Sequence, residues 1–258
     1  MKLRAIYALV LGVALACPAF AADAPPAGVP KIDAETLAKR VGQVFAGFDD
    51  FWVWIDQRYK SADGKEAEPV KGRAYYKRDK MFRINFGQPP TRVEGTNGDE
   101  YWIYDAEKKT IEYSPLDANA PVHPLLMVFA AGDQMVRALD RYFNVDAFEE
   151  TAFGTDKVPA YKLALSFKAD RLKELKEKGG DKLITEGVKQ ITIWVNKEKS
   201  LPIQVQVDMT TKARYTFDLS ADQAGVQKGE FNHDVGLDSG LFNRPTPPGV
   251  TVTEMPKH

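Results

Sequence analysis

From Phe51 onward, apolar residues recur at every second position, a period that a strand can bury on one face and a helix cannot. The pattern opens with the wholly apolar Phe51-Trp52-Val53-Trp54-Ile55. Val70, Gly72, Ala74, Tyr76 and Arg78 then alternate with Lys71, Arg73, Tyr75 and Lys77, and Phe82, Ile84 and Phe86 alternate with Arg83 and Asn85. Asn97-Gly98 marks a hairpin turn ahead of Tyr101-Trp102-Ile103-Tyr104, and residues 105–109 turn into Ile111 and Tyr113. The alternation returns at Tyr161, Leu163, Leu165 and Phe167. Three more strands follow, over Val188 to Val195, Leu201 to Met209 and Ala213 to Leu219, joined by short polar turns that suit antiparallel neighbours.

Helical spacing is confined to three places. Asp33 suits an N-cap for a helix carrying Leu37, Val41, Val44 and Phe45 up to Gly47. A second helix is expected from Asp133, turning Val136, Leu139 and Tyr142 or Phe143 inward. A third, capped by Asp170 and carrying Leu172 and Leu175, should end at Gly179-Gly180. With many strands and no βαβ rhythm, the expected class is mainly β (α+β): one large meandering antiparallel sheet.

The N-terminus has a different character. Lys2 and Arg4 precede an uncharged stretch from Ala5 to Ala16, then Pro18 and Ala19-Phe20-Ala21, which reads as a secretory signal peptide over residues 1–21. Its 12 uncharged residues fall short of the ~20 needed to span a bilayer. Cleavage after Ala21 would leave a Pro/Ala linker over 22–31 and a single domain over 32–258. Cys17, the only cysteine, lies in Ala14-Leu15-Ala16-Cys17, which only faintly resembles a lipoprotein box, so the expected mature chain begins near Ala22 without an acyl group. It would then hold no disulfide, thiolate metal site or cysteine nucleophile. The uncharged stretch from Ala118 to Gly132 is interrupted by Pro121, His123 and Pro124 and is a poor membrane span.

Few chemistries find support in this sequence. With 35 basic against 36 acidic residues, no overall positive field exists to hold a nucleic-acid backbone. His123, His233 and His258 are far apart, so no metal site is expected. In Gly236-Leu-Asp-Ser-Gly240, Ser239 sits one position away from the centre that a nucleophile elbow requires, and a turn is the better reading. No phosphate loop or dinucleotide fingerprint occurs, and no cofactor is expected. Aromatic residues make up 11% of the chain, many of them between Phe51 and Tyr113. They either fill an ordinary core or line a curved sheet whose concave face holds a ligand.

The segment Gly72-Arg-Ala-Tyr-Tyr-Lys-Arg-Asp-Lys-Met-Phe-Arg-Ile-Asn-Phe86, with Pro89-Pro90 and Asn97-Gly98-Asp-Glu-Tyr-Trp-Ile-Tyr-Asp105 after it, resembles the LolA-type periplasmic carriers of outer-membrane lipoproteins. Ile193-Trp-Val-Asn, Leu201-Pro202, Phe242 and Pro247-Pro248-Gly249-Val250-Thr-Val252 look like that family's closing segments. The resemblance implies an incomplete antiparallel β-barrel, a half-barrel, with an N-terminal helix and a helical lid over an apolar cavity. It implies a periplasmic, monomeric, non-enzymatic carrier that takes acylated lipoprotein or another envelope lipid from an inner-membrane lipoprotein-releasing transporter to an outer-membrane acceptor. Tyr76, Phe82, Ile84, Phe86, Trp102 and Tyr104 become candidate cavity residues. Leu125, Leu126, Val128 and Phe129 become candidate lid residues, and Arg78 matches the arginine that holds such a lid closed. Asp79, where the family often has Pro, and the long segment from Leu116 to Phe143 depart from the pattern, and a changed lid could mean changed cargo. Lipid- or peptide-sensing regulatory modules share the fold, and an envelope-lipid hydrolase is the remaining alternative.

Overall fold

The computed structural model describes residues 32–78, 81–115, 139–177 and 187–255. Helix α1 (Ala34–Ala46) begins where the sequence predicts, with the Asp33 carboxylate accepting the Thr36 N–H at 2.7 Å. Leu37, Val41 and Phe45 recur on one face of α1 and are buried, each stabilising the packed helix by about 1.5–3 kcal/mol. The chain then runs through β1 (Asp50–Lys60), β2 (Val70–Lys77), β3 (Met81–Phe86), β4 (Arg92–Thr96), β5 (Glu100–Asp105) and β6 (Thr110–Pro115). After the undescribed segment come β7 (Phe143–Phe153), β8 (Val158–Phe167), α2 (Ala169–Glu177), β9 (Val188–Asn196), β10 (Pro202–Met209) and β11 (Arg214–Ser220). A two-residue β12 (Asn232–His233) and β13 (Thr251–Glu254) complete it.

These strands form one open sheet in the order β13-β6-β5-β4-β3-β2-β1-β11-β10-β9-β8-β7, with β12 against β1. Antiparallel pairing joins β1 to β11, so the first and last halves of the sheet meet at its centre. The sheet curls around α1: Phe82, Ile84 and Phe86 from one wing and Leu163, Leu165 and Phe167 from the other belong to the same buried cluster as Leu37, Val41 and Phe45.

The structure departs from the sequence reading at four elements. Strand β4 is not announced by alternating apolar residues, because its buried positions include Glu94, Gly95 and Thr96. Leu139 and buried Tyr142 lie in the helical turn 139–142 and pack on the main cluster as expected, but β7 takes over at Phe143, where a register shift between Val145 and Ala147 breaks its period. Asp170 lies in the first turn of α2, which begins at Ala169. Finally, β13 pairs parallel to β6, an exception to the all-antiparallel expectation. The predicted start of the second helix at Asp133 and the Gly179-Gly180 stop lie outside the described residues.

The C-terminal segment straps the outside of the sheet. The buried Asp50 carboxylate accepts the N–H groups of Val235 (2.9 Å) and Leu237 (2.7 Å), and Lys77 donates to the Leu237 carbonyl. Further along, Arg83 Nη1 donates to the Leu241 carbonyl at 2.8 Å, and burial holds the Arg83 pKa below its ordinary value. Ser239–Phe242 forms a 3-10 turn in which Asp238 accepts the Gly240 N–H at 2.6 Å, in keeping with the turn reading of Ser239.

Candidate functional site

Strand register sorts the candidate residues onto two faces. Phe51 stands opposite Tyr76, Tyr76 opposite Phe82, and Ala74 opposite Ile84, which places Tyr76, Phe82, Ile84 and Phe86 on the face that packs toward α1. Phe82, Ile84 and Phe86 are buried there, while Tyr76 is half-buried and stacks on Phe51 with ring centroids 5.2 Å apart.

Trp102 and Tyr104 do not join them. Trp102 stands opposite Gly95 and Tyr104 opposite Val93, on the other face, where Val93, Trp102 and Ile111 form a separate cluster against Tyr104, Tyr113 and Val250. Trp102 is fully buried there, with its indole N–H directed to the Phe242 carbonyl at 3.4 Å. Gly95 makes room for it, since a Cβ at that position would lie 2.7 Å from Trp102 Cζ2. The residues of β5 that face α1 are instead Tyr101 and Ile103, and Tyr101 packs against the main cluster. Within β5 the alternation was legible, but its phase relative to β3 was not, because β4 between them carries almost no apolar signal.

The face toward α1 is therefore a largely apolar surface edged by half-buried side chains: Tyr76 and Tyr101 on one wing, Tyr59 near the centre, and Leu139, Phe148 and Leu172 on the other. Buried polar side chains interrupt it at Gln57, Glu94 and Thr96. Glu94, fully buried, accepts from Arg92 Nε at 2.6 Å through one oxygen and from the Tyr101 hydroxyl at 3.0 Å through the other. This arrangement satisfies the carboxylate without opening the surface to water.

Arg78 lies at the end of α1. Its Nη2 donates to the Ala46 carbonyl at 2.9 Å and its Nε to the Phe48 carbonyl at 3.2 Å, with Asp49 3.1 Å from the same nitrogen. The guanidinium thus meets the Ala46 carbonyl, which the helix C-terminus leaves without an intrahelical partner, and the Phe48 carbonyl just beyond it. Residues 121–129, which include the lid candidates Leu125, Leu126, Val128 and Phe129, lie outside the described residues.

No family model matches the chain. Over 172 residues, 66% of this chain and 77% of the other, it is 27% identical to the outer-membrane lipoprotein carrier protein of Chromohalobacter salexigens. This chain is similar to the outer-membrane lipoprotein carriers. Among solved structures, a conserved uncharacterised protein of Thermus thermophilus aligns over 86% of this chain and 99% of its own at 14% identity, with a TM-score of 0.49. A LolA superfamily protein of Nitrosomonas europaea aligns over 83% and 99% at 11% identity, with a TM-score of 0.37.

Proposed function

We propose that this chain is a periplasmic carrier, exported by the leader over residues 1–21, that shields the acyl chains of a lipoprotein or related envelope lipid between an inner-membrane transporter and an outer-membrane acceptor. The observation that carries this reading is the apolar face of an open sheet edged by half-buried Tyr76, Tyr101 and Phe148, in a chain similar to a lipoprotein carrier. An acyl chain laid on such a face leaves water at about 0.8 kcal/mol per CH₂, so even partial coverage rivals attachment to a bilayer. Binding needs no covalent chemistry, and the proposed role is not enzymatic.

Release requires that cargo compete with the protein's own packing. Helix α1 already covers part of the apolar face, so cargo and protein side chains draw on the same surface, which limits affinity and permits handover. Incubation of the purified mature chain with inner-membrane vesicles carrying a labelled triacylated lipoprotein tests the reading. A soluble one-to-one complex with intact lipoprotein, which then passes its cargo to outer-membrane vesicles, is expected. Chemically altered lipid would assign the chain to hydrolysis, and absence of any soluble complex would overturn the carrier role.

A further inference from the structure

The opposite face of the sheet carries a different kind of site. Trp54 stands across from Arg73, Arg73 across from Asn85, and Tyr75 follows on the same face of β2. With Gly72, Gly87 and residues 88–90, these side chains line a cavity of about 260 Å³ on the outside of β1 to β3. Gly72 keeps the two strands close here, since a Cβ on it would lie 2.5 Å from the Asn85 carbonyl oxygen. Arg73 is the cation of this cavity. Its guanidinium carbon lies 4.0 Å from the Trp54 ring centroid and 4.5 Å from that of Trp52, and the two indoles meet edge to face.

Those rings orient the guanidinium without neutralising it. Among the described residues no carboxylate forms an ion pair with Arg73, its buried Nε has no hydrogen-bond partner, and Nη1 reaches the Tyr75 hydroxyl only at 3.4 Å. Asp56, on the same face one step along β1, stands across from Lys71. The Asn85 side-chain oxygen accepts from Arg83 Nε at 2.8 Å, which leaves the Asn85 amide N–H groups as donors. A fixed fork of donors, an amide donor and flat walls from Trp54, Tyr75, Pro89 and Pro90 are the elements that recognise a planar anion attached to an apolar body.

We propose that this cavity binds a carboxylate carried on a small flat or aliphatic group, with Arg73 pairing both oxygens and Trp54 and Pro89 covering the apolar part. A free small acid and the C-terminal carboxylate of a peptide present the same chemistry. The site is independent of the acyl-binding reading, because it lies on the other face of the sheet.

Benzoate and benzamide are suitable probes, being alike in shape and different in charge. Titration of the labelled mature protein, followed by NMR at the arginine Nε–H and tryptophan indole signals, should show benzoate shifting Arg73 and Trp54 saturably. Benzamide should bind about tenfold more weakly or worse, as expected when one charge-assisted pair is lost. Arg73→Gln should lose benzoate by a similar factor. If that variant does not fold, the comparison of the two probes on the unaltered protein decides alone. Equal binding of both probes, or no saturable benzoate shift, would overturn the site. A tripeptide ending in phenylalanine, with its C-terminus free or amidated, separates the sources: tighter binding than benzoate, lost on amidation, assigns the cavity to chain ends, and the reverse order assigns it to free acids.

Discussion

A single buried carboxylate anchors the C-terminal strap. Asp50 is buried and receives two backbone N–H groups from the strap, so Asp50→Ala should destabilise the protein by about 1.5–3 kcal/mol, and the Val235 and Leu237 amides should exchange faster with solvent. Denaturant titration together with hydrogen exchange checks both effects. Other carboxylates, among them Asp33, Asp222 and Asp234, are favoured in their charged form by the fold. The Asp33 pKa is held below its ordinary 3.8 by hydrogen bonds from Thr36. For Asp234, burial works upward but is outweighed by the bonds from His233 and the Asp49 N–H; for Asp222, burial is likewise outweighed by the N–H groups of Val226 and Gln227. Because the folded values lie below the unfolded one, this stability is present above about pH 4 and is lost as pH falls through the folded values. Unfolding free energy should therefore drop on acidification, and the triple substitution Asp33→Asn, Asp222→Asn, Asp234→Asn should flatten that dependence. An unchanged slope would show that other groups set it.

Elements differ in how openly the sequence declares them. Helix α1 was legible from its cap to its last apolar residue, because Asp33, Leu37, Val41 and Phe45 each do locally what the fold requires globally. Leu37→Ala, which leaves a void beneath the sheet, should cost about 2–5 kcal/mol in denaturant unfolding. Strand β4 was illegible for the opposite reason: its buried Glu94 is kept by Arg92 and Tyr101, partners that no local pattern identifies. The same strand hides which face of β5 turns inward, and so the sequence groups Trp102 and Tyr104 with residues of the opposite face. Strand β7 was lost to a bulge and to its acidic surface, where Glu149 and Glu150 pair with Lys162 and Lys197 and guard an exposed sheet edge. At the crossing of β3, β4 and β5, Gly95→Ala would drive a Cβ to 2.7 Å from Trp102 and 2.9 Å from the Phe82 carbonyl oxygen. It should cost about 1–3 kcal/mol, read in the same unfolding assay, and perturb Trp102 fluorescence.

At the scale of the whole molecule, one open sheet presents two surfaces of different chemistry. One is apolar and partly covered by α1, the other is strapped by the C-terminal segment and carries the arginine–tryptophan cavity. An account in which acyl chains enter by the first surface makes a demand on matched substitutions. Tyr76 and Tyr104 are both half-buried tyrosines on neighbouring parts of the sheet, and they face opposite sides. An ionised carboxylate is costly against acyl chains, so Tyr76→Glu should weaken uptake of a fluorescent fatty-acyl probe about tenfold or more, whereas Tyr104→Glu, of comparable stability, should leave it within about twofold of the unaltered protein. Probe affinity measured side by side on the two folded variants is the most direct test: loss in Tyr76→Glu alone is the predicted result, and equal affinity of the two, or loss confined to Tyr104→Glu, would contradict the account.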